Sequence, residues 1–181
     1  MFPSYIENPQ NCRFEGQDPQ EKILLLLRAH PITNLSWIIP AFLLIIFPFF
    51  IPFILSLLKL DLSFVPPLYG LAFIVINYLM VSVIVFEGFL NWYFNVYIVT
   101  SKNIIDVDFF SILFKNIDMA PLTNVEDVSS SMGGLVQSIF HFGNVFVQTA
   151  GATKNIDFVD VPLPHKVADF ILDESHKQKG T

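Results

Sequence analysis

The sequence predicts a helical membrane hairpin followed by a small mainly-β domain. Three observations carry that expectation. Residues 35–58 and 62–86 contain no charged side chain. After Asn91 the composition turns into that of an ordinary soluble domain. At Asn95 the spacing of apolar residues changes from helical to two-fold. The whole 181-residue chain is 53% hydrophobic and 14% charged, against roughly 45–50% and 25% for soluble domains. Its twenty phenylalanines also point to a nonaqueous surrounding.

Residues 1–34 read as a leader and juxtamembrane segment. Its cysteine, Cys12, is the only one in the chain and cannot make an internal disulfide. Arg13 is its one basic neighbour, and nothing marks it as a nucleophile. A cleavable signal peptide is not expected, because the first apolar run starts late, is too long and lacks a small-residue cleavage pattern.

The first span is Leu35–Leu58, 24 residues that reach roughly 36 Å as a helix. A bilayer core of about 30 Å needs about 20 residues, so the segment can cross with some tilt. Pro40, Pro48 and Pro52 lie inside it and are tolerated in membrane helices where neighbours satisfy the freed backbone groups. They predict a curved anchor rather than a gate. The second span is Leu68–Leu90. The intervening nine residues, KLDLSFVPP, are short enough to make the helices antiparallel neighbours. Pro66 and Pro67 mark the turn.

Lys22 and Arg28 precede the first span and Lys102 follows the second, while only Lys59 lies in the turn. This bias puts both termini and the β domain in the cytoplasm. Trp37, Trp92, Tyr93 and Tyr97 then fall on one interface and serve as headgroup-level anchors. Glu87 is the only ionisable residue in either span, within about one turn of the interface, where it can reach water by snorkelling. Asn77, nearer the middle, is expected to bond the partner helix.

Six strands are predicted beyond the hairpin: Asn95–Thr100, Asn103–Phe109, Ile112–Met119, Val125–Ser130, Asn144–Thr149 and Asn155–Val161. Val145, Val147 and Thr149 would share one face, as would Ile105, Val107 and Phe109. Gly133 and Gly134 break the pattern, Leu135–His141 suits one or two helical turns, and Gly143 re-enters extended chain. Pro164 suits a helix start. Val167, Phe170, Ile171 and Glu174 follow at helical spacing and would cover the end of an antiparallel barrel. The last five residues, 177–181, form a polar tail.

The run Trp92, YIVTSKNIID at 97–106, LTNVEDV at 122–128, Gly133-Gly134, FGNVFVQTAG at 142–151 and VPLP at 161–164 resembles the bacterial pleckstrin-homology (PH) domain family. With the preceding hairpin and Glu21…Arg28-x-His30-Pro31, it is similar to the membrane-anchored, YdbS-like branch. The resemblance covers roughly residues 20–175. It implies a seven-stranded, two-sheet PH-like antiparallel barrel over 92–176, closed by a C-terminal helix, at the inner membrane of a bacterial cell.

Chemistry is sparse. The net charge is −2 over residues 1–91 and −4 over 92–181, which gives no footing for nucleic acid. His30, His141, His165 and His176 show no metal-site spacing, and no catalytic, metal or cofactor residue is expected. Ser129–Leu135 is Gly-rich but lacks the spacing and the Lys-Ser/Thr ending of a phosphate loop. A phosphoinositide headgroup needs converging Lys/Arg. The Thr100–Asn103 turn offers Lys102 alone, with Asp106 and Asp108 close behind, so no strong site is expected. The leading reading is a non-catalytic, membrane-anchored interaction module that binds protein partners or copies of itself. The alternative is an accessory subunit of a membrane transport system, resting on the prolines, Asn77 and Glu87.

Overall fold

The computed structural model describes residues 3–10, 12–14, 16–60, 65–111, 114–151 and 155–180. Four residues of the inter-helix turn, 61–64, and the first two of the expected strand at 112–119 lie outside them. The chain divides into two units, Met1–Thr33 with Asn91–Thr181, and Asn34–Leu90.

The second unit holds the apolar helices. A 3-10 turn, Pro31–Asn34, leads into α1, Leu35–Leu57, which runs unbroken through Pro40, Pro48 and Pro52. Helix α2 spans Pro67–Phe94. Three pairs set the packing: Trp37 on Gly88, the Tyr78 hydroxyl donating to the Ile45 carbonyl at 3.4 Å, and the Phe47 and Phe73 rings 6.5 Å apart. Position numbers rise along α1 as they fall along α2, so the helices are antiparallel. Gly88 is required by contact rather than by conformation. A Cβ there would sit 2.5 Å from the Trp37 ring, so a side chain would wedge the helices apart. Ala41, Asn77 and Val81 are buried, and most of the remaining residues in these helices are exposed.

The first unit contains eight strands among the described residues. One antiparallel sheet has the order β1-β2-β3-β4-β5: Tyr5–Glu7, Ile23–Leu27, Val96–Thr100, Asn103–Ser111 and Phe114–Pro121. A second sheet, β6-β7-β8, comprises Val125–Ser131, Phe142–Thr149 and Ile156–Pro162. Helix α3, Gly134–Phe140, sits between β6 and β7, and α4, Pro164–Lys179, ends the unit. All six predicted strands are present to within about two residues of their predicted bounds.

Two corrections follow. The two expected sheets are present with five and three strands, but they do not close into a barrel: among the described residues no ladder joins β5 to β6 or β1 to β8. The leader is not a separate segment, because β1 and β2 belong to the first sheet. Strand β2 pairs with β3 in the register Leu27↔Tyr97, Leu26↔Ile98 and Leu25↔Val99. The apolar helices are thus an insertion between two hydrogen-bonded neighbour strands.

The core explains the arrangement. Leu25, Leu27, Val99 and Ile104 on one face of the first sheet meet Val145, Val147, Ile156 and Phe158 of the second, all at 2% exposure or less. Tyr97 lies in this core, its ring 4.7 Å from that of Phe158 and nearly parallel to it. It is not an interface anchor. Thr149 is buried alongside Val145 and Val147, as their alternation requires. Pro164 starts α4, whose Val167, Ala168, Ile171 and Ser175 are the buried face. Phe170 is partly buried, and Glu174 pairs with Lys177 rather than packing inward. The opposite face of the first sheet is also apolar: Ile23, Leu26, Ile98 and Ile105 cluster with Ile6, Phe14, Val96 and Val107.

Gly143 lets β7 cross close to the end of β6. A Cβ on it would lie 2.3 Å from the Ser131 carbonyl oxygen.

Candidate interaction site

Two polar clusters and one apolar surface stand out in the β unit. The first cluster fastens the two points where the chain leaves for the apolar helices and returns from them. The Trp92 indole N–H donates to the Ala29 carbonyl at 2.9 Å, and Arg28 Nε donates to the Tyr93 carbonyl at 3.2 Å. The Arg28 guanidinium also lies 5.0 Å from the centre of the Tyr93 ring, a distance that gains cation–π attraction. One residue on, the His30 ring stacks on Phe142 at 5.1 Å, and its backbone N–H donates to the Asp160 carbonyl at 2.7 Å. The Ile32 N–H donates to His30 Nδ1 at 3.3 Å, which requires that nitrogen to be unprotonated. Burial pushes the imidazole pKa below its ordinary value, and the Asp160 charge opposes that only in part.

The second cluster sits at the β3–β4 turn. Glu21 is buried at 5% exposure. One of its oxygens accepts from the Thr100 hydroxyl at 2.5 Å and from the Asn103 amide at 2.9 Å. The same Thr100 oxygen accepts the N–H groups of Lys102 and Asn103 at 3.1 and 2.8 Å. A carboxylate placed under a turn by hydrogen bonds organises it as an N-cap would. Lys102 reaches outward to Asp18 at 2.8 Å. Of the motif residues quoted above, Glu21 and Thr100 are therefore parts of one structural lock.

The apolar surface is α3. Gln137 faces inward, its Oε1 accepting from the Gly133 N–H at 2.5 Å and its Nε2 donating to Asp160 at 3.1 Å. At 100° per residue, Leu135, Val136 and Ile139 then project away from the unit. They are 81%, 56% and 66% exposed. His141 caps α3 in the left-handed conformation at φ 54°, and its carbonyl accepts from Leu163, which is also exposed. Nothing in the sequence reading singled this helix out beyond its position. The signal was its inverted polarity, apolar outside and amide inside.

The remaining predicted residues are placed as follows. Trp37 is half-buried and donates to Asn34 Oδ1 at 3.0 Å. Trp92 and Tyr93 are half-buried in the junction just described. Asn77 is buried, and its side-chain oxygen has no hydrogen-bond partner among the described residues. Glu87 is exposed. His165 Nδ1 lies 2.7 Å from the Ser130 hydroxyl, and His176 is in the last turn of α4. Cys12 is exposed and unbridged. Among the described residues no group of three His, Cys, Asp or Glu is disposed to hold a metal ion.

A comparison with protein families matches the bacterial PH domain over residues 32–175. The matched range begins after β2, so β1 and β2 lie outside it. Comparisons with curated proteins and with solved structures found no match.

Proposed function

Because this chain belongs to the bacterial PH domain family, we propose that it is a non-catalytic interaction module held at a membrane by α1 and α2. PH domains are recognition folds rather than reaction vessels, and the Ser130–His165 contact at 2.7 Å lies on the exposed surface. The observation that carries the anchoring is exposure. The most apolar stretches of the two helices have mean hydropathies of 2.7 and 2.3, yet only 6% and 11% of their residues are buried. A core helix of a soluble protein has its apolar face covered. Continuous exposed apolar surface of this extent calls for lipid.

In this reading the module is the YdbS-like arrangement, with the β unit and both termini cytoplasmic. Trp37, Trp92 and Tyr93 lie at headgroup level. The partner is a protein or a second copy rather than a lipid headgroup, since Lys102 is engaged with Asp18 and the turn beneath it is filled by Glu21. A second reading, an accessory subunit of a transport system, draws on Asn77, whose buried amide oxygen lacks a partner within its own helix pair. A third helix could supply the donor.

Membrane fractionation with an alkaline wash tests the anchor, and native mass measurement in a mild detergent tests the module. Retention in the washed membrane, with either a defined multimer or one stoichiometric protein partner, is expected. Release into the wash refutes the anchor, whereas a partnerless monomer in detergent refutes the interaction role. A co-purifying transporter that is lost on Asn77→Leu favours the second reading.

A further inference from the structure

We propose that α3 and the turn before α4 form an apolar lip that rests in the headgroup region of the bilayer. The inference rests on the membrane reading above and adds a second, peripheral contact to it.

The first argument is inverted polarity. A surface helix normally turns its apolar side inward. Here Gln137 is bonded inward to Gly133 and Asp160, while Leu135, Val136 and Ile139 face out. Phe140 and Leu163 extend the same exposed surface.

The second argument is position within the β unit. The chain leaves this unit after Thr33 and returns at Asn91. His30, three residues before the exit, lies 5.1 Å from Phe142 and 6.5 Å from Phe140, ring centre to ring centre. Three residues of chain span at most about 11 Å. The returning chain, at the end of α2, is fixed to the same place by the Trp92–Ala29 and Arg28–Tyr93 hydrogen bonds. Both chain crossings and the α3 lip therefore occupy one end of the unit. If the helices enter lipid, that end is the one nearest the bilayer.

The third argument is charge, and it selects lipid over protein as the occupant. Between Asp127 and Lys154 the sequence has no Asp, Glu, Lys or Arg. A protein-binding patch is rimmed by polar and charged groups, and an anionic headgroup site collects Lys and Arg. The exposed side chains of the ridge, Leu135, Val136, Ile139 and Phe140, carry no charge. The carboxylate that α3 does touch, Asp160, is held by Gln137 on its inward side. Such a ridge suits the upper acyl boundary, where apolar side chains insert irrespective of headgroup charge.

The test uses the full chain carrying Cys12→Ser, in single-copy nanodiscs of zwitterionic phosphatidylcholine. An environment-sensitive fluorophore is attached at Ile139→Cys or, independently, at Leu135→Cys. Nitroxide lipids quench either at the headgroup or deep in the acyl region. Ile76→Cys on α2 and Lys177→Cys at the far end of α4 are the references. The expected result is severalfold stronger quenching at 139 and 135 than at 177 by the shallow nitroxide. It should not change with salt or with added anionic lipid. Quenching at 139 and 135 no greater than at 177, while the label at 76 is quenched by the deep nitroxide, overturns the lip and leaves the anchor standing. Labels at 139 and 135 that are shielded from water yet untouched by either nitroxide place the surface against the chain itself and also overturn the proposal. If the label at 76 itself escapes the deep nitroxide, the membrane reading falls and the lip with it.

Discussion

The pairing of β2 with β3 makes a prediction about where the domain begins. A fragment comprising residues 91–181 contains everything the sequence reading assigned to the PH-like domain, but it lacks β2. Ile23, Leu25, Leu26 and Leu27 are all buried, two of them completely. Burying an aliphatic side chain of this size stabilises by about 1.5–3 kcal/mol, so removing four forfeits roughly 6–12 kcal/mol. That is an upper figure, because unfolded chains already bury some surface, but it is comparable to the whole stability of a domain, about 5–15 kcal/mol. The fragment also loses the Glu21 lock and exposes the edge of β3. It should be insoluble or lack a cooperative transition. The register continues from Leu27↔Tyr97 to pair Ala29 with Asn95. A chain of residues 1–29 joined through Asn-Gly to 95–181 therefore closes β2 and β3 with a two-residue hairpin turn. This version should be soluble and unfold in urea in one cooperative step, followed by circular dichroism. If 91–181 alone unfolds cooperatively with the midpoint of the joined chain, the argument that β2 is integral to the fold is wrong.

Three further outcomes can be checked on the joined chain or the full protein. Because burial lowers the His30 pKa, its neutral form favours the folded state. The full protein should therefore be most stable above the ordinary histidine range, near pH 6.5, and lose stability as pH falls through it. His30→Gln should flatten that stretch of a pH-dependent denaturation curve measured against the parent. Gly143→Ala brings a Cβ against the Ser131 carbonyl and should cost about 1–3 kcal/mol by urea denaturation, against the gain expected of a harmless glycine replacement. Tyr97→Phe removes the hydroxyl that accepts from the Val159 N–H at 3.1 Å. It should cost about 1 kcal/mol, and an unchanged midpoint would mean water replaces that acceptor freely.

Much of the architecture was readable from pattern. Two long charge-free runs located α1 and α2, because length and the absence of charge are sufficient signals for such helices. The alternation Val145, Val147, Thr149 identified an inward face correctly. Strand β2 escaped for a physical reason. In ILLLL, Leu25 and Leu27 enter the main core while Ile23 and Leu26 enter the cluster on the other face. A strand buried on both sides does not alternate, and a five-residue apolar run carries no period to detect. An aromatic near a span suggests a membrane-surface position for Tyr97, but its place in β3 beside Phe158 decides otherwise. The Glu21–Thr100 lock was invisible because its two residues are 79 positions apart, brought together only by the β2–β3 ladder.

Inserting a helix pair between bonded strands restricts what movements can pass along it. A slide of β2 past β3 would drag Leu27 along Tyr97, and ladders slide only in whole-residue steps of about 3.3 Å. A single step would turn Leu25 and Leu27 out of the main core and Leu26 into it. Graded sliding is thus forbidden short of unfolding the sheet. Motions that leave this ladder intact must carry β2 and β3 together.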